Sequence, residues 1–171
     1  MIKTISPEKA LHLLAAYCSN AERCEDEVRK KMVRWEISQE SQESILSHLQ
    51  KEDFLNEVRF CKAFVNDKLR FNKWGAKRIY YELARKKISP KLIKMSLEEI
   101  DGDENEKILM QILTSKQKVT KSKNSYDLHQ KLFRFALGRG FDCSLINASL
   151  KRIFEDFEYM ESDNLSSDEM D

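Results

Sequence analysis

Val28-Arg-Lys-Lys-Met32-Val-Arg-Trp35-Glu-Ile37-Ser38 returns 51 residues later as Ile79-Tyr-Tyr-Glu-Leu83-Ala-Arg-Lys-Lys-Ile88-Ser89, and 53 residues further on as Leu132, Ala136 and Phe141 followed by Asp142. Apolar side chains recur at helical spacing in all three copies, with basic residues between them in the first two, so each copy is a helix with one buried face. Ser38, Ser89 and Asp142 can each accept from a first-turn amide and so start another helix, and Pro90 suits the first position of the second one. The stripe of that next helix recurs as Leu46 and Leu49, as Leu97 and Ile100, and as Leu150 and Ile153; Ile93 and Ile146 extend it in the later copies.

Upstream of the quoted helix, Leu13, Leu14 and Tyr17 mark another helix in the first copy, Cys61, Phe64 and Val65 in the second, and Leu109, Ile112 and Leu113 in the third. The last shift is only 48 residues, which leaves five extra residues in the third copy; they fall in Thr114 to Ser125, a stretch expected to be a basic loop. Four glycines and two prolines against 35 % charged residues leave little punctuation for hairpins, and helix is the default.

A unit of three helices buries too little surface to stand alone, and stacked neighbours supply the rest. The expectation is an all-α protein of three tandem three-helix repeats, 1–55, 56–102 and 103–157, forming an elongated, curved array of the right-handed type. One globular helical bundle is the rival arrangement. The polar, acidic tail 158–171 is expected to be disordered.

With 41 % hydrophobic residues the chain can build a core. It has no uninterrupted apolar window of the roughly 18 residues a membrane helix needs, nor a signal-like start, so a cytoplasmic protein is expected. Cys18, Cys24, Cys61 and Cys143 stand singly, without the paired spacing of a disulfide framework or a zinc site, and Cys61 reads as core. The formal charge of +1 conceals an asymmetry: residues 1–154 hold all 30 basic groups against 21 acidic ones, and the remaining eight acids crowd the end of the chain. A basic body with an acidic tail is drawn to polyanions or to protein surfaces coated by them.

The middle unit concentrates that charge. Between Arg59 and Lys94 there are 12 Lys and Arg, opposed only by Asp67 and Glu82. On a helix from about Gly75 to Lys87, Ile79, Leu83 and Tyr80 face inward, whereas Lys77, Arg78, Tyr81 and Arg85 face outward. Such a face suits phosphate contacts and base stacking; a merely solvated helix face is an equally good reading of the charge alone. Phe71, Trp74, Tyr80 and Tyr81 read as core, with Trp74 wedged between units and Gly75 allowing a tight approach. His12, His48 and His129 fall in different units, with no carboxylates or serines spaced for a triad, a metal site or an acid/base pair, so neither enzyme activity, cofactor nor metal is expected. Gly138-Arg-Gly140 ends a helix and reads as a C-cap, not a phosphate loop.

The stretch from Phe54 to Ile88 resembles the central motif of RecX proteins: an acidic-aromatic lead into F-A-x-x-(F/Y)-V, here Phe60 to Val65, then R, then G-x-x-x-I-x-x-x-L-x-x-K-G-I, here Gly75 to Ile88. Glu27-Val28-x-x-Lys31-Met32 is similar to the family's E-L-x-x-K-L element, and Phe133 to Phe141 to its closing segment, so the likeness covers about residues 10–154. The chain departs from the pattern at Gln50-Lys-Glu-Asp53, where the family often has L-D-D, and at Lys87, which replaces the usual glycine of K-G-I.

The resemblance implies a monomeric regulator that binds in the groove of RecA filaments on single-stranded DNA. It would restrain recombinase, ATPase and coprotease activity without chemistry of its own, in DNA repair and the SOS response. The expected contacts are Arg59, Lys68, Arg70, Lys73, Lys77, Arg78 and Arg85, with Lys116, Lys118, Lys121 and Lys123 as a second patch. Two other classes fit the same residues: an autonomous nucleic-acid-binding helical module, and a helical scaffold for other proteins.

Overall fold

Helix boundaries are set by side-chain caps and by a repeated stop. Ser38 accepts from the Ser41 amide at 3.3 Å, Ser89 from the Leu92 amide at 3.3 Å and Asp142 from the Ser144 amide at 2.9 Å, so the three caps expected from the repeat are all in place. Each follows a matching helix end. The amides of Ile37, Ile88 and Phe141 donate to the carbonyls of Met32, Leu83 and Ala136 at 3.1, 3.2 and 3.3 Å. The residues just before them, Glu36, Lys87 and Gly140, have φ of 55°, 63° and 89°. This is the Schellman stop, in which a left-handed residue lets the chain double back onto the last turn.

The computed structural model describes residues 5–166, with side chains described from 5 to 155. Among them are nine helices and no strand: α1 (Pro7–Asn20), α2 (Glu25–Arg34), α3 (Gln39–Lys51), α4 (Glu57–Arg70), α5 (Ala76–Arg85), α6 (Pro90–Glu98), α7 (Gly102–Val119), α8 (Ser125–Gly138) and α9 (Cys143–Ser166). The protein is thus an all-helical repeat fold, and the quoted stretches are α2, α5 and α8 with their stops.

Packing gathers the chain into two compact units. Unit 1 takes 1–66 and 80–99; unit 2 takes 67–79 and 100–171. In unit 1 a core of Ala10, Leu14, Val28, Met32, Ile45 and Leu49 joins the first three helices. Unit 2 packs α7, α8 and α9 against one another, burying Leu109, Leu113, Leu132, Ala136, Phe141, Ile146 and Leu150. Full burial of one such large side chain stabilises by roughly 1.5–3 kcal/mol, so the recurring stripe carries the fold.

One expectation needs correction. The segment Thr114 to Ser125 is not a loop throughout: α7 runs to Val119, putting Lys116 and Lys118 on a helix and leaving only 120–124 as the connection. No glycine or proline interrupts it, and the Thr120 hydroxyl closes the last turn on the Lys116 carbonyl at 2.6 Å. Beyond that, α9 extends to Ser166, and 167–171, the end of the acidic tail expected to be disordered, lie outside the described residues.

Among the described residues no helix is long and apolar enough to cross a membrane, and no group of His, Cys, Asp and Glu is placed to hold a metal ion. Cys18, Cys24 and Cys61 are buried, Cys61 in the core as expected, and burial raises each thiol, Cys61 to about 11.

Candidate functional site

The site begins with the five residues that carry the chain from α4 into α5, Phe71 to Gly75. Lys73 sits at φ 55°, and the Trp74 amide reaches back to the Lys68 carbonyl at 3.0 Å, a left-handed stop one residue wider than those after α2, α5 and α8. The next amides leave their own helix: Gly75 donates to the Arg139 carbonyl at 2.8 Å and Lys77 to the Gly140 carbonyl at 3.0 Å. In return Arg139 Nη1 donates to the Asn72 carbonyl at 2.8 Å. The orphan amides at the start of α5 are thus satisfied by the orphan carbonyls at the end of α8, positive helix end to negative. This brings 67–79 and the basic residues of α7 and α8 into unit 2.

The cations expected at the site fall into two classes. Four are spent on carboxylates of the chain itself. Arg59 binds Glu22 and Asp53, both at 2.6 Å. Arg70 grips Glu104 with two bonds of 2.8 and 3.1 Å. Lys77 meets Asp142 at 3.3 Å, and Arg85 meets Glu82 at 3.5 Å. The Ser144 hydroxyl and amide, with Lys77, hold the Asp142 carboxyl at about 2. Arg59 and Arg85 moreover belong to unit 1.

The side-chain cations of Lys73, Arg78, Lys116, Lys118, Lys121 and Lys123 have no carboxylate partner among the described residues; Lys123 reaches Asp127 only through its backbone amide, at 3.0 Å. All six lie in unit 2. Lys68, also in unit 2, lies 5.2 Å from the centre of the Trp74 ring.

The aromatic residues are placed differently from expectation. Trp74 is half-buried in unit 2, with the Arg78 guanidinium 4.2 Å from its ring centre, so the ring holds cations in place as well as packing. Phe71 and Tyr81 are not core: they are 81 % and 67 % exposed, Phe71 because α4 ends at Arg70 just before it, and Tyr81 because it stands on the outer face of α5 that the helical spacing gave it. Tyr80 is half-buried; Ile79 and Leu83 face inward and Lys77 and Arg85 outward, as the helical spacing requires.

Phe135 and Arg139 belong to the site without having been marked as such by the sequence pattern. Arg139 was seen only as part of a helix stop, yet its guanidinium stands 5.2 Å from the centre of the Phe135 ring; Lys116 stands 5.3 Å from the same ring. With Lys73, Gln111, Ile112, Ser115 and Val119 they line a groove that contains no carboxylate. Only the sixty-odd residues of separation between Lys73 and Arg139 hid the pairing, since nothing in a linear pattern says that the α8 stop meets the start of α5.

Comparison with known proteins gives one family model, described as RecX, second three-helix domain, over residues 56–97. A Regulatory protein RecX from Clostridium perfringens (strain 13 / Type A) is 29 % identical over 141 residues, covering 81 % of this chain and 65 % of the relative. One from Finegoldia magna is 31 % identical over 122 residues, covering 70 % and 59 %. The chain therefore spans less than two thirds of the length of these relatives. Among solved structures, RecX from Lactobacillus salivarius superposes with a TM-score of 0.78 at 17 % identity, over 85 % of this chain and 95 % of that one. A second crystal structure, of a regulatory protein RecX, gives 0.77 at 18 % identity over 83 % and 71 %. At such identities the two structures speak for the fold.

Proposed function

Because the chain belongs to the RecX family, we propose that it is a regulatory protein that binds RecA filaments on single-stranded DNA and restrains their recombinase, ATPase and coprotease activity. It acts in the cytoplasm, as a monomer and without chemistry of its own. The observation that carries the reading is the set of cations in unit 2, Lys73, Arg78, Lys116, Lys118, Lys121 and Lys123, left without carboxylate partners among the described residues. Other cations of the fold, Arg59, Arg70 and Lys86 among them, are consumed by internal pairs. Charges kept unpaired hold their full attraction for an anionic partner and steer its approach.

The test is RecA-dependent ATP hydrolysis on single-stranded DNA with the protein added. Hydrolysis should fall at amounts well below one protein per RecA monomer; unchanged hydrolysis at those amounts rules the regulator role out. A second reading, an autonomous nucleic-acid-binding module, is favoured by Phe71 and Tyr126, aromatic rings 81 % and 75 % exposed beside the basic residues of unit 2 and available for base stacking. Titration of bare and RecA-coated single-stranded DNA separates the two. Equal affinity for both, with a steep salt dependence, favours the module.

A further inference from the structure

We propose that the groove of unit 2 lined by Lys73, Ile112, Lys116, Val119, Phe135 and Arg139 docks an acidic peptide segment that inserts an aliphatic side chain. The proposal rests on unit 2 being the face turned to a partner. It adds what that partner presents there.

Three cations, on the α4–α5 connection, on α7 and at the end of α8, converge on the groove, and no Asp or Glu lines it. Lys116 and Arg139 share the Phe135 ring, and neither they nor Lys73 has a carboxylate partner among the described residues. Like charges gathered without a counter-charge repel one another, and a carboxylate that enters between them relieves this repulsion. The walls between the cations are aliphatic: Ile112 is half-buried, and Val119, one helical turn beyond Ser115, is 73 % exposed on an otherwise polar helix end. Together Ile112 and Val119 give the groove an aliphatic wall that another apolar side chain can cover.

The same lining argues against a nucleic acid in this groove. Base stacking needs a free aromatic face, and the one ring here, Phe135, already carries two cations. Aliphatic walls offer bases little, whereas they match a leucine or isoleucine side chain. Ser115 and Gln111 on the same lining can hydrogen-bond a peptide backbone.

The experiment uses the full chain and a short fluorescein-labelled peptide alternating aspartate with leucine, read by fluorescence polarisation. Binding should be saturable, weaken with salt, and weaken again when serine replaces the leucines. Lys116→Glu with Arg139→Glu, and separately Val119→Asp, should each lower affinity about tenfold or more, the loss expected for one good contact. Arg85→Glu, in unit 1, should leave it unchanged, and helical circular dichroism checks folding of every variant. Absence of peptide binding overturns the proposal, as does full displacement of the peptide by an oligo-dT strand of similar length. Because RecA is not in this assay, peptide binding without inhibition of RecA sinks the filament reading alone, and inhibition without peptide binding sinks the groove alone.

Discussion

Gly75 and Gly140 touch backbone to backbone: a Cβ built on Gly75 would lie 2.4 Å from the carbonyl carbon of Gly140, and one on Gly140 would lie 2.4 Å from the Arg78 amide nitrogen. Both gaps are smaller than any side chain tolerates, and the atoms in the way are main chain, which cannot turn aside. The contact is also the seat of the Gly75–Arg139 and Lys77–Gly140 hydrogen bonds. It therefore fixes where Lys73, Lys77 and Arg78 stand relative to α8.

Gly75→Ala should consequently destabilise the protein by about 2 kcal/mol or more, at the upper end of the overpacking range. Gly102→Ala is the control, because a Cβ there meets nothing within 4 Å. Thermal melts of the two variants measure the difference. Equal melting temperatures would mean that the start of α5 can retreat from the α8 stop at no cost.

The stops at Glu36 and Lys87 repeat the geometry of Gly140 with residues that dislike it. A side chain in the left-handed region costs about 1–2 kcal/mol through its Cβ, and glycine gives back part of that gain in unfolded-chain entropy. Glu36→Gly should therefore stabilise by about 0.5–1 kcal/mol. Lys87→Gly should gain less, because the Lys87 ammonium lies 3.1 Å from Asp26, a carboxylate only 2 % exposed. Chemical denaturation of both variants checks the order; a larger gain at Lys87 would mean that this ion pair contributes nothing.

These stops also show what a sequence can and cannot convey. The register of the three repeats was legible because burial and capping constrain residue type strongly: Ile37, Ile88 and Phe141 must be apolar, and Ser38, Ser89 and Asp142 must offer an oxygen. The left-handed residue between helix and cap is constrained only in its backbone. Gly140 announces it, but Glu36 and Lys87 do not. The length of α7 was hidden for a related reason, since lysine-rich sequence suits an exposed helix end and an exposed loop equally well.

Acid should destabilise the fold through a known set of groups. Burial raises the Asp26 carboxyl, but the Lys30 and Lys87 ammonium groups outweigh it and leave the group below its usual value; Asp142 is lowered to about 2. A carboxyl lowered by folding stabilises above its unfolded pKa of about 3.9, and that contribution is lost as pH falls through the folded value. Stability should thus drop between about pH 4 and pH 2. Glu57 has the opposite sign: burial raises it, so its ionisation opposes folding, a penalty that grows as pH rises through the unfolded value and is complete above the folded one. Glu57→Gln should accordingly raise the melting temperature at neutral pH and bring no gain in the acid range. A gain of the same size at both pH values would assign the effect to packing instead of charge.

The two classes of cation make the last prediction, and they explain why the site was only half legible. Lys and Arg can be counted in a sequence, but their freedom depends on carboxylates far along the chain: Glu22 lies 37 residues from Arg59, and Glu104 lies 34 from Arg70. Charge density alone therefore could not tell an arginine paired within the fold from a cation left without a carboxylate. Arg59→Ala should remove the ties to Glu22, to Asp53 and to the Asp53 carbonyl, lowering the melting temperature while leaving filament inhibition intact at temperatures where the variant is folded. Lys73→Glu with Arg78→Glu should do the reverse, weakening inhibition of RecA-dependent ATP hydrolysis while keeping helical circular dichroism. Lys77→Glu belongs with Arg59, because it would set a second acid against Asp142 beside the Gly75–Gly140 contact and disturb the fold before it disturbs a partner. If Arg59→Ala abolished inhibition in a fully folded protein, the contact surface would have to include unit 1, and the distinction between paired and unpaired cations would fail as a guide to it.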